Sequence, residues 1–278
     1  RGARVRARRG GLALAAPVTI DGRFNLLFGV LSAACAALVL TTRERREEAA
    51  APVPEAVRSL RWRFLIVFWL YKMADWLQGP YFYEVYASKV INGVAVSSAG
   101  VARLFLTGFG STALFGAVVG GKRAERLTAL QPYSPYPTLS HPDLSLPPSC
   151  SGLVDTFGRK RGSLAFSLMY ALSALSTRCA QLPLLFAGRV AGGLGTSLLF
   201  SAPEAWLVSE HQRSKFDDKY LGQTFGLAYL GDAIVAIAAG QLAGAVASSR
   251  GPVAPFELST LFLAAGALVV MLKWGENF

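Results

Sequence analysis

Six side chains carry charge or amide chemistry inside otherwise apolar stretches of this sequence: Lys72, Asp75, Gln78, Arg189, Glu204 and Asp232. An ionisable group at the centre of a bilayer costs about 2.5–3.5 kcal/mol by insertion scales, so such groups face a cavity or a partner. Lys72 and Asp75 stand three apart, as do Asp75 and Gln78, which places each pair on one helix face. Two readings of that face are open. Either Lys72 and Asp75 neutralise each other locally, or the face lines a cavity whose charges bind solute or protons. The Gly79-Pro80 pair directly after it favours the cavity, because it bends the helix. Arg189 is permanently charged and needs carboxylates, carbonyls or an anionic solute. Glu204 lies about 22 Å further along a straight helix, too far to neutralise it. Asp232, in a later apolar run, is the candidate partner. Lys72 and Arg189 together could hold a tetrahedral oxyanion through charge-assisted hydrogen bonds. Asp75 or Asp232 would then balance the empty site or carry a proton.

Other chemistry is poorly served. Cys35, Cys150 and Cys179 are scattered, and His141 and His211 are isolated, so neither a disulfide framework nor a zinc site is implied. No catalytic triad, phosphate loop or paired-carboxylate motif stands out. An enzyme is not supported and no cofactor is implied.

The elements that must position these residues are membrane spans. Of 278 residues, 53% are hydrophobic and 16% charged, against about 25% charged in soluble domains. At about 20 residues per span there is room for six or seven. The apolar runs are 24–40, 64–86, 93–119, 162–177, 182–208, 221–247 and 252–272. Basic residues sort by loop. Those before the second, fourth and sixth runs are rich, for example Arg58, Arg61 and Arg63, then Arg159, Lys160 and Arg161, then Arg213, Lys215 and Lys219. The alternate loops carry Lys89, Arg178 and Arg250. This is the positive-inside pattern, with the rich loops cytoplasmic, and it accounts for most of the +11 net charge without nucleic acid. Residues 1–23 break the pattern with six arginines against Asp21. The run at 24–40 is therefore either a true first span or a processed or interfacial segment, and the arginine-rich start is also similar to an organelle transit peptide. Residues 41–63 read as a basic cytoplasmic linker and 64–278 as the main helical body. Glycines at 188, 192 and 195 read as packing residues. Trp76, Tyr81, Tyr83, Tyr86 and Trp206 read as interfacial anchors, and Arg103 as a snorkelling residue.

The run from Ser151 through Leu153, Asp155, Gly158, Arg159, Lys160 and Arg161 resembles the loop between helices 2 and 3 of the major facilitator superfamily, G-x-L-x-D-x-x-G-R-K-R. Gly158 permits a tight turn and Asp155 can meet a helix N-terminus. Arg189, Gly193 and Gly195 look like the family's fourth-helix motif, R-x-x-x-G-x-G. The stretches at 74–81, 199–206, 251–256 and 274–278 resemble the molybdate-anion transporter branch. This resemblance implies a gating role for Asp155, Gly158, Arg159, Lys160 and Arg161. The implied fold is an all-α polytopic one: six helices of the family's N-terminal half, preceded by an extra N-terminal transmembrane helix. The implied function is secondary active or facilitative transport of a small anion, molybdate or a similar oxyanion. The site residues would be Lys72, Asp75, Gln78, Arg189 and Asp232. The partners would be the small anion, the lipid bilayer and a missing C-terminal half or second subunit. The expected location is the plasma membrane, with an organelle membrane as the alternative. A truncated non-transporting half, or a membrane receptor or scaffold, are the rival readings. The family's Gly-Pro antiporter motif is absent around 231–244.

Residues 121–151 hold Pro132, Pro135, Pro137, Pro142, Pro147 and Pro148 and read as an inserted linker. Joining Gly120 to Gly152 restores the first glycine of the signature. Gly121-Lys122 can be encoded with GTAAG and Cys150-Ser151 with TGCAG, the ends of an intron. A retained intron and a regulatory loop are both open.

Overall fold

The computed structural model describes Leu27, residues 29–38, Leu40, 53–119 (side chains to 116) and 157–277. The arginine-rich segment 1–23, the insertion 121–151 and Asp155 lie outside the described residues. The chain divides into two compact units, Arg1–Val53 and Pro54–Phe278. Within the first, Gly29–Leu38 is an apolar helix inside the expected run 24–40.

Among its described residues the second unit is helical apart from one small hairpin. Its first rod is α1 (Glu55–Gln78), a 3-10 turn (Gly79–Tyr81) and α2 (Phe82–Ala87). Pro80 has no N–H to donate, so the run expected at 64–86 breaks into these three pieces. The helix also starts ahead of its apolar run, which moves Arg58, Arg61 and Arg63 out of the expected linker and onto α1. Strands β1 (Val90–Ile91) and β2 (Val94–Ala95) pair antiparallel. Asn92 and Gly93 turn between them with φ of 51° and 80°, the left-handed pair that a two-residue hairpin of this twist requires. The third run therefore becomes helical only from Ser98, in α3 (Ser98–Val119).

Five more helices follow among the described residues. α4 is Arg159–Ser176, and α5 (Leu182–Leu199) is followed by α6 (Ala202–Arg213). α7 is Asp218–Arg250 and α8 is Ala254–Lys273. The run at 182–208 is thus divided at Phe200-Ser201, where Pro203 suits the first turn of a new helix. By length and composition, Leu182–Arg213, Asp218–Arg250 and Ala254–Lys273 can each cross a membrane.

α1 is the axis of the core. Its Phe64, Phe68 and Tyr71 meet Phe166 and Tyr170 of α4, Trp206 of α6, Ala228 of α7 and Leu263 of α8. Lipid supplies no hydrophobic drive between spans, so close packing and interhelical hydrogen bonds hold them. Both are present. Trp69 Nε1 donates to the Ala228 carbonyl at 3.1 Å and Ser197 Oγ to the Thr112 carbonyl at 3.0 Å. A Cβ on Gly193 would sit 2.5 Å from Ser111 Cβ and 2.8 Å from the Gly108 carbonyl, so α5 and α3 touch backbone to backbone. On the other side of α5, Gly188, Gly192 and Gly195 press on Ser176, Ser173 and Tyr170 of α4. The glycines are packing residues, as their spacing suggests.

Candidate functional site

α1 and α7 build the first charged group. The Lys72 side chain is 8% exposed, and its Nζ lies 3.6 Å from Asp232 Oδ2. The same ammonium stands 4.6 Å from the Phe200 ring centre and 5.6 Å from that of Phe68. Asp232 Oδ1 accepts Trp76 Nε1 at 2.8 Å. Asp75 accepts the Tyr170 hydroxyl, and Glu204 accepts that of Tyr229 at 3.0 Å. Lys72 is within electrostatic reach of both Asp75 and Glu204. One cation therefore faces three carboxylates.

Three expectations change here. Lys72 is neutralised, but across the helix pair by Asp232 and not by Asp75 one turn away. Asp232 is in consequence not the partner of Arg189, because α7 packs along α1 and not on α5. Gln78 leaves the group altogether. It is fully buried, and its Nε2 donates to Ser259 Oγ of α8 at 2.9 Å.

Arg189 occupies a different environment. It is 8% exposed, with its guanidinium 4.4 Å from the Phe82 ring centre and 6.0 Å from that of Phe105. Tyr86 lies beside it, and a Cβ on Gly108 would overlap it. Among the described residues Arg189 Nε has no hydrogen-bond partner and no carboxylate pairs with the guanidinium. An aromatic nest stabilises a cation by about 0.5–2 kcal/mol, and the Tyr86 side chain hydrogen-bonds the guanidinium, but neither supplies a negative charge and Nε is left without an acceptor. Tyr170 links the two groups, being within electrostatic reach of both Asp75 and Arg189.

The basic signature forms a third group at one end of the unit. Arg159, Lys160 and Arg161 are the first turn of α4, not part of a loop. Cations there oppose the helix dipole. Glu276 compensates: its carboxylate accepts the backbone N–H of Lys160 at 2.9 Å and of Arg161 at 3.2 Å. Gly158, with φ of 96°, makes room, since a Cβ there would lie 2.5–2.8 Å from that carboxylate. Arg159 is 1% exposed and donates from Nη1 to Ser209 Oγ at 3.0 Å and to the Asn277 carbonyl at 3.2 Å. Asn277 Nδ2 in turn donates to the Trp206 carbonyl and to Glu210 Oε2. Trp206 stacks on Trp274 at 3.9 Å with 4° between the rings, and Trp274 Nε1 donates to the Arg63 carbonyl. Trp206 and Tyr86, expected as interfacial anchors, are 0% and 1% exposed and belong to the core. Residues 274–277 thus clasp α1, α4, α6 and α8 together. Glu276 and Asn277 carry no local motif that would have marked them. Their partners are more than sixty residues away, and only the likeness of 274–278 to a family branch drew notice to them.

Residues 23–129 and 148–278 match the major facilitator family described as sugar transporters, 12 TM. The chain is 31% identical over 256 residues to a molybdate-anion transporter of Takifugu rubripes, covering 90% of this chain and 46% of that protein. It is 31% identical over 258 residues to the one of Danio rerio (91% and 46%). With the one of Xenopus tropicalis the identity is 29% over 227 residues (80% and 42%). The chain spans about half the length of the curated relatives it matches. No solved structure matches it significantly. A profile match over most of the chain, with the basic helix start and the glycine-lined arginine helix that carry the resemblance, shows that this integral membrane chain belongs to the major facilitator family.

Proposed function

We propose that the chain forms a six-helix wall of an anion carrier, with Arg189 as the group that holds the anion. α1–α2, α3, α4, α5–α6, α7 and α8 supply the six spans, and the helix at 29–38 belongs to an additional one. The observation that carries this reading is the contrast between the two buried cations. Lys72 has Asp232 at 3.6 Å, whereas Arg189 has no carboxylate partner among the described residues and its Nε has no acceptor there. A buried guanidinium without a carboxylate is suited to a ligand that brings its own negative charge. A neutral sugar would not supply it. The names of the relatives support molybdate or a similar oxyanion as that ligand.

In this reading Lys72 is a second cation held in reserve. Asp75, Glu204 and Asp232 face it, and the ion pair with Asp232 at 3.6 Å balances its charge while the site is empty. Gln78 braces α1 on α8 and does not touch the solute. Arg159, Lys160, Arg161 and Gly158, with Asp155, belong to the gate at the basic end. The opposite wall of the permeation path comes from a second half, since family sites form where two halves meet near the midplane. The plasma membrane remains the proposed location. Residues 121–151 are an insertion outside the transport unit, which the interruption of the family match at 130–147 supports. Transcript reads that never skip the segment would sink the intron form of that idea.

The test is uptake by a version of the carrier that contains both halves. Arg189→Ala is expected to abolish molybdate accumulation while membrane insertion is retained, and Arg189→Lys to restore little, because a point charge cannot replace the planar fork. Undiminished uptake by Arg189→Ala would remove Arg189 from the site.

A further inference from the structure

At the basic end of the helices a groove of about 400 Å³ opens between α1 and α8. Arg63 and Lys273 line it together with Ser59 and the apolar Trp62, Ile66, Val269 and Leu272. Trp62, Ile66 and Leu272 are 51%, 43% and 70% exposed, so the walls face outward and not into the core. Among the described residues no acid lines the groove. The acids of adjoining segments are occupied elsewhere, Glu55 by Arg58 and Glu276 by the first turn of α4. Arg63 Nη1 donates to the Lys273 carbonyl at a long 3.4 Å, and its buried Nε has no hydrogen-bond partner among the described residues. The exposed Lys273 ammonium likewise has none.

We infer that this groove binds an anionic phospholipid, with the phosphate between Arg63 and Lys273 and an acyl chain along Trp62, Ile66 and Leu272. The chemistry is specific in three ways. Two cations without a carboxylate favour a headgroup of net negative charge, and would repel the ammonium of a zwitterionic one. The apolar walls begin level with the charges, at Trp62 and Leu272, and continue to Ile66 and Val269, the latter four residues or about 6 Å deeper than Lys273, which is the order of charge and hydrocarbon in a lipid and not in a free anion. By the charge rule this end is cytoplasmic, the leaflet in which anionic lipids are concentrated. A tryptophan in the wall suits the headgroup boundary. The inference needs only the membrane topology and is independent of what the chain transports.

The groove also touches the clasp, since the Arg63 carbonyl accepts Trp274 Nε1 and its guanidinium stands 5.9 Å from the Trp206 ring centre. A lipid seated there braces the same helix ends that residues 274–277 hold.

The test uses the full chain purified in mild detergent and titrated with brominated phosphatidylserine or brominated phosphatidylcholine. Bromine quenches tryptophan fluorescence on contact. Phosphatidylserine is expected to give a saturable quench at roughly tenfold lower mole fraction than phosphatidylcholine, two cations each contributing a few-fold preference. Trp62→Phe should remove that saturable component, and Lys273→Glu should erase the preference between lipids. Arg63→Gln should weaken it too; because Arg63 also supports the clasp, the exposed Lys273 carries the decision. Equal quenching by the two lipids, or a preference that survives Lys273→Glu, overturns the proposal. So does full displacement of the lipid by millimolar inorganic phosphate, which would make the groove a site for free anions.

Discussion

Replacing Glu276 by Ala removes the acceptor of two backbone N–H groups at the start of α4. Loss of a side-chain cap costs about 0.5–2 kcal/mol. The negative charge adds about 0.3–1 kcal/mol against the helix dipole, more in partly buried geometry. Here the dipole effect lies toward the upper end, because three successive basic residues occupy the same turn. The Arg161–Glu276 ion pair, 3.8 Å long with Arg161 71% exposed, adds little to this. Together these give about 2–3 kcal/mol. At about 2–4 °C per kcal/mol for a domain of this size, the midpoint of thermal unfolding in detergent should fall by about 4–12 °C. Glu276→Gln keeps an acceptor and loses the charge, so it should cost about 1 kcal/mol, and Arg161→Ala less than that. Hydrogen exchange localises the effect: the Lys160 and Arg161 amides should exchange faster in Glu276→Ala, while those of α7 do not change. A midpoint within about 1 °C of the parent, with unaltered exchange at those two amides, would refute the cap.

Three further outcomes are expected. A double-mutant cycle on Lys72→Met and Asp232→Leu should show a coupling of about 1–3 kcal/mol in unfolding experiments; additive losses would mean that Asp75 or Glu204, not Asp232, neutralises the lysine. Gly193→Ala should destabilise the chain by about 1–3 kcal/mol through its collision with α3, whereas Gly222→Ala, whose Cβ meets nothing within 4 Å, should be neutral or stabilising; equal midpoints for the two would refute the close α3–α5 crossing. Asp217 caps α7, and its carboxyl is held below the usual range by the Lys219 backbone N–H, then by the Lys219 side chain. Its folded value is depressed, so the cap is present above pH ~4 and is lost as pH falls from there through the lowered value. Protection of the first amides of α7, relative to their intrinsic exchange rates, should fall in that window and show no such step in Asp217→Asn.

What the sequence revealed was local. Gly79-Pro80 announces a break, and a 3-10 turn stands there. Gly158 announces a tight turn, and its φ is 96°. The glycine spacing on α5 announces close neighbours, and both α3 and α4 supply them. What it hid depends on which helices touch. Asp232 and Arg189 are both lone charges in apolar runs, and nothing in either run records that α7 lies along α1. Hydrophobic periodicity likewise finds apolar centres but not helix ends. α1 therefore starts earlier than its apolar run, on a basic turn whose Arg61 is held by hydrogen bonds to Gln223 and Thr224 of α7.

The clasp has a consequence for biogenesis. α4 begins at Arg159, yet the carboxylate that caps it is supplied by residue 276. During synthesis the first turn of α4, with its three basic side chains, must wait uncapped until everything through α8 has been made and Glu276 has cleared the ribosome. Domains complete their folding as units, and in this unit the last contact to form is also the one that fixes the basic end of its fourth helix. Until then, the translocation machinery or the lipid headgroups around it would have to shelter that turn.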